Sequence, residues 1–109
     1  MEMSALPFQV LKWDNIEPIR HEGTTGFATW QSFQMNVIRI RQVAYSPGYL
    51  ADHWCSKGHV IYCIEGSMIT ELEDGSEHLL SAGMTYHVGD NCEAHRSSSS
   101  GGCRLLIVD

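Results

Sequence analysis

The run Val37-Ile38-Arg39-Ile40-Arg41-Gln42-Val43-Ala44-Tyr45 is rich in β-branched residues and lacks a 3.6-residue period, which predicts a strand ended by a turn at Pro47-Gly48. Val60 to Glu65 is almost wholly apolar and predicts a buried strand. Glu65-Gly66 reads as a hairpin turn into a further strand, Met68 to Glu73. Asp74-Gly75 is the clearest hairpin signal in the chain. Beyond it lie Glu77 to Leu80, a turn at Ser81-Ala82-Gly83, and strands over Thr85 to Val88, Ala94 to Ser97 and Cys103 to Val108. Ser98-Ser99-Ser100-Gly101-Gly102 reads as a flexible loop between two strands. Trp13 to Glu17 offers one helical turn before Pro18. Many short strands with regular turn signals predict an all-β sandwich or barrel, and no internal repeat accompanies them.

Composition narrows the function classes. The 109 residues suit a single domain over 1–109. The net charge of −6 opposes binding to nucleic acid and to anionic membrane surfaces, both of which reward a cationic face. No apolar run approaches the length of about 20 residues that a helical membrane span needs. Met1-Glu2-Met3-Ser4 has no basic segment and no long apolar stretch behind it, so a cytoplasmic location is expected. In that reducing compartment Cys55, Cys63, Cys92 and Cys103 are expected as free thiols. A core this small favours a homodimer, with a segment such as Phe8 to Leu11 pairing with the second subunit.

The stretch that carries chemistry is Asp52-His53-Trp54-Cys55-Ser56-Lys57-Gly58-His59. On a strand, His53 and Cys55 share a face, with Asp52 and Trp54 on the other. A turn at Lys57-Gly58 would bring His59 beside them, and His95 lies on a later strand. Imidazole suits zinc, copper, iron and nickel, while a thiolate favours zinc, iron or copper. The plainer reading is a hydrogen-bonded or half-exposed histidine and a cysteine serving as a small buried hydrophobe.

These residues resemble the cupin superfamily. Its first motif has the form Gly-x5-His-x-His-x3–4-Glu-x6-Gly. Gly48 precedes His53 by one residue fewer, Cys55 stands at the second histidine, His59 at the glutamate, and Val60 to Glu65 separate it from Gly66. Its second motif has the form Gly-x5-Pro-x-Gly-x2-His-x3-Asn. Gly83 opens it here, Gly89 and Asn91 replace its proline and glycine, His95 follows after one inserted residue, and Ser99 replaces the asparagine. The likeness spans about Val37 to Asp109 and is nearest to the small cupins with an Asp, His, Cys and Trp motif, matched by Asp52 to Cys55.

The resemblance implies a single-domain antiparallel β-barrel of jelly-roll type. It implies one divalent transition metal (zinc, iron, nickel, manganese or copper) held by His53, Cys55, His59 and His95, and a small-molecule ligand. With Cys55 bound, four protein ligands would close a tetrahedral site of structural zinc type. With Cys55 off the metal, three histidines would leave positions open for a substrate. Three functions therefore stand side by side: a metal-dependent enzyme, a non-catalytic binding module, and a zinc staple for a small barrel.

Several residues have duller expectations. Asp52 reads as a solvated or turn-bonding carboxylate, Trp54 as packing, Lys57 as a solvated turn residue, and His21 and His78 as surface positions. His87 could lie on either face of its strand. Cys63 shares the face of His59 and Ile61 and would form an apolar wall. Arg39 and Arg41 read as a solvated stripe behind inward isoleucines. A bulge near Gln42 would instead turn an arginine inward to bind a carboxylate. No phosphate-binding glycine loop and no nucleophile elbow is present.

Overall fold

The structure is a computed structural model that describes residues 5–109. A single 3-10 turn, Trp13–Asn15, falls within the expected helical turn. Nine strands follow: β1 (Ile19–Glu22), β2 (Phe27–Met35), β3 (Ile38–Tyr45), β4 (Tyr49–Leu50), β5 (His59–Leu72), β6 (Glu77–Ser81), β7 (Thr85–Val88), β8 (His95–Ser99) and β9 (Cys103–Val108). All pairings are antiparallel, in the order β1-β2-β3-β9-β5-β8-β4, with β6 and β7 also on β5. The sheet curls until its ends meet, where Thr25 bridges to Leu50. The all-β barrel expected from the turn spacing is what forms.

The expected turn at Glu65-Gly66 is not a hairpin. β5 runs through it as one strand of 14 residues. Its first half pairs with β7 and β9, its second half with β6 and β8. A register shift between Cys63 and Glu65 bends it, and Gly66 takes the left-handed φ of 76° at the corner. A Cβ there would press into the carbonyl oxygen of Gly102. The glycine thus lets one strand serve both halves of the barrel. Asp74-Gly75 does turn the chain between β5 and β6, with Asp74 Oδ1 accepting from Ser76 N at 2.8 Å. β8 extends to Ser99, so Ser98 and Ser99 are strand residues, and buried Ser99 donates to Ser67 O at 2.6 Å.

One end of the barrel is filled by Ala28, Val43, Ile61, Cys63, Met68, Leu80, Cys103, Leu105 and Ile107. The alternation His59, Ile61, Cys63 on β5 faces inward, as expected, and Cys63 is fully buried. All four cysteines are free thiols.

Arg39 and Arg41 are not a solvated stripe. Arg41 is 6% exposed and shares its face with Arg39, Val43 and Tyr45. No bulge produces this, because β3 keeps unbroken register with β2 and with β9. The reason is a counter-charge: Asp109, opposite Arg39, aims its carboxylate into the same space.

Candidate functional site

Above the apolar packing the barrel opens into a cavity of about 180 Å³. His53, Cys55, His59 and His95 all line it, with Arg39 and Arg41 from β3 and Asp109 from the end of β9 beside them. The sequence-predicted residues therefore meet at one cavity, but not on equal terms.

His59 opens β5 and His95 opens β8, and both are buried, at 9% and 3% exposure. Their rings meet edge to face with centroids 4.7 Å apart. Cys55 forms an isolated antiparallel bridge with His95, through Cys55 N to His95 O at 2.8 Å and His95 N to Cys55 O at 3.0 Å. Such a mutually bonded pair puts both side chains on one face.

His53 departs from the expected arrangement. Asp52 to Gly58 is a loop rather than a strand, held to the sheet by the bridge at Cys55. His53 sits on the cavity rim with its side chain 69% exposed, its Nδ1 2.7 Å from Asp52 Oδ1. The loop is tied to a neighbouring loop instead of a strand: Gly58 N donates to the Asp90 carboxylate at 2.6 Å and Asn91 N to Ser56 O at 2.8 Å. Trp54 is 39% exposed under the Arg96 guanidinium, whose carbon lies 4.9 Å from the ring centroid. Among the described residues, no three histidine, cysteine or acidic side chains close around a common point.

The protonation pattern is specific. His95 Nδ1 lies 2.8 Å from the Glu93 carbonyl oxygen, which can only accept, so Nδ1 carries the proton. The buried Nε2 is then a bare lone pair without a partner among the described residues. The Cys55 thiol is close enough that the His95 side chain is the main cause of its lowered pKa, and the thiol in turn raises that of His95. No hydrogen-bond geometry is met between them, so Nε2 stays open. His59 is pushed down to about 4, first by burial and then by the positive charge of His95, and is neutral at pH 7.

Two residues of the site are absent from the sequence-based reading. Tyr86 places its hydroxyl 3.1 Å from His59 Nε2. Burial pushes that phenol up to about 12. The parity of β7 settles its direction, since Tyr86 turns inward and His87 outward. Asp109, the other, continues the inward series Cys103, Leu105, Ile107 of β9. Its carboxylate is 1% exposed and accepts from Arg39 Nε and Nη2 and from Arg41 Nη2, each at 3.0 Å. Burial alone would raise its pKa, but the two guanidinium groups outweigh that and hold it below the ordinary value.

Comparison with solved structures decides the architecture. A predicted oxalate decarboxylase from Thermotoga maritima superposes with a TM-score of 0.77 at 18% identity, over 92% of this chain and 96% of that one. The chain has the cupin fold. An RmlC-like cupin from Shewanella frigidimarina gives 0.70 at 17% identity, covering 97% of this chain and 89% of that one. Ectoine synthase from P. lautus gives 0.74 at 19% identity, covering 93% and 76%. At these identities the likeness is one of fold. No protein-family model matches the sequence, and no curated protein matches it significantly. Among the described residues no helix is long and apolar enough to cross a membrane.

Proposed function

We propose that this cupin binds one divalent transition metal at the open end of its barrel and presents it to a small organic molecule in the cavity. The observation that carries the reading is the buried, unpartnered Nε2 of His95, with Nδ1 fixed on a backbone carbonyl. A metal-binding imidazole has this arrangement, because the outer hydrogen bond sets the tautomer and the ring direction. His59 is neutral and its ring touches that of His95, and Cys55 adds a thiol on the same face. This donor set fits zinc, iron, copper, nickel or manganese, with the thiol favouring the softer ones. His59, His95 and Cys55 would hold the ion, and His53 could join from its loop. Once bound, such an ion acts as a Lewis acid or a redox centre. The protein's own part is to keep the His59 imidazole neutral, to fix the tautomer of His95, to exclude bulk water with Trp30, Tyr45 and Tyr49, and to hold a proton at Tyr86 Oη.

A zinc staple is the weaker reading. It needs four ligands closed on the metal, and His53 stands exposed on the cavity rim. Turnover and simple carriage would use this same pocket.

Titration of the metal-free protein with cobalt(II) tests the proposal. The expected result is saturation at one equivalent, with a thiolate-to-cobalt charge-transfer band that Cys55→Ser abolishes. No saturable uptake by the wild type would sink it. The homodimer is kept as part of this proposal, because Phe8 (95% exposed) and Val10 (75%) stand free and β1 is an edge strand. A single-subunit mass by light scattering would exclude it.

A further inference from the structure

We propose that the cavity takes a small organic carboxylate and that Arg41 is the residue that binds its charged end. The inference rests on reading the cavity as a ligand site, and does not require the metal.

Charge is the first observation. The protein is acidic, with 13 acidic and 7 basic residues. Yet four of its cations, Arg39, Arg41, Lys57 and Arg96, line this one small cavity, and Asp109 is the single carboxylate among them. Arg96 is spent on Glu71, at 2.8 Å. Arg39 and Arg41 then share the one Asp109 carboxylate, which leaves one positive charge unmatched, and Lys57 adds a further, exposed one at the rim. Gathering cations in a half-enclosed space of an anionic protein is costly unless an anion belongs there.

The second observation is an open donor. Arg41 Nε is buried and has no partner among the described residues. Buried polar nitrogens are normally satisfied, and a guanidinium N–H is expensive to leave unpaired. The group is nonetheless held firmly. Asp109 Oδ2 accepts from its Nη2, and the Trp30 ring lies beneath it, with the guanidinium carbon 4.3 Å from the ring centroid. Arg39 clasps the other side of the same carboxylate. Asp109 thus acts as a positioning residue that fixes both arginines before a ligand arrives, which lowers the ordering cost of binding.

Shape and lining choose the chemistry. A planar guanidinium edge matches a planar carboxylate. A tetrahedral phosphate would want donors from several directions. The floor of Val43, Ile61 and Ile107 and the wall of Trp30, Tyr45 and Tyr49 accept a hydrocarbon body. A volume of about 180 Å³ is below the 300–1,000 Å³ typical of drug-sized ligand sites, so the molecule is small.

The test titrates the metal-stripped protein with butyrate, its neutral isostere butyramide, and inorganic phosphate, following the Arg Nε–H resonances by NMR. Butyrate is expected to saturate, to move the Arg41 Nε–H signal, and to bind about tenfold or more weakly in Arg41→Gln. Butyramide and phosphate are expected to bind far less well. Should the variant not fold, the wild-type Arg41 signal and the butyrate-to-butyramide ratio decide. The inference is overturned by absence of butyrate binding at tens of millimolar, by binding that leaves the Arg41 signal unmoved, or by butyramide or phosphate binding as tightly. Metal uptake without carboxylate binding defeats this inference alone. Carboxylate binding by a protein that takes up no metal defeats only the proposed metal centre.

Discussion

Asp109→Ala is expected to destabilise the protein by about 3 kcal/mol, read as a lower urea midpoint with an unchanged slope. The substitution deletes one carboxylate and leaves two guanidinium groups facing each other in the barrel mouth. Removing one member of a buried ion pair costs about 3–5 kcal/mol, because the surviving charge stays desolvated and unpaired. The lower end applies here. Arg39 is 28% exposed and can turn toward water, whereas Arg41 at 7% cannot. Acid should produce the same loss in the wild type. The folded-state pKa of Asp109 is depressed, so its contribution is complete above the unfolded value of about 3.9 and disappears as pH falls through the folded-state value. His59 adds to acid lability in an earlier window. Its pKa is about 4 when folded and about 6.5 when unfolded, so stability falls as pH drops between those values. A change below about 1 kcal/mol in Asp109→Ala would mean that the arginines find other partners and that the carboxylate does not organise the cavity.

His95→Ala is expected to weaken metal binding by more than about 100-fold, beyond the 10–100-fold that follows loss of an outer hydrogen-bond partner. Competition against a chelator of known affinity, with thermal melting of the metal-free forms as a control, gives the number. The direction follows from the site: of the four candidates, His95 alone combines burial, a fixed tautomer and a vacant lone pair. His53→Ala should cost less, since that side chain is exposed on the rim loop. Equal affinities in His95→Ala and the wild type would remove His95 from the ligand set and, with it, the argument that points the pocket toward metal.

The barrel was legible because its punctuation is local. Asp74-Gly75, the β-branched runs of β3 and β9, and the spacing from His59 to Gly66 each carry their meaning within a few residues. What sequence alone misreads depends on distant partners. Gly66 looks like a hairpin because a left-handed glycine after an acidic residue commonly makes one. Only the sheets on either side turn it into a bend within β5. Arg39 and Arg41 look solvated because an unpaired buried arginine is costly, and their partner lies 70 and 68 residues away. Their parity with Val43 and Tyr45, and that of Asp109 with Leu105 and Ile107, is a signal of the inward face that was available. The loop at Asp52 to Gly58 shows the limit of strand periodicity: His53 and Cys55 are two apart, yet one faces water and the other pairs with His95.

X-ray absorption at the edge of whatever metal the purified protein carries, or takes up on reconstitution, tests the central claim most directly. The expected coordination shell has at least two imidazole nitrogens and one sulfur, with a light-atom ligand that exchanges with solvent. A protein that retains no metal even after reconstitution, or a shell without histidine nitrogen, would contradict it.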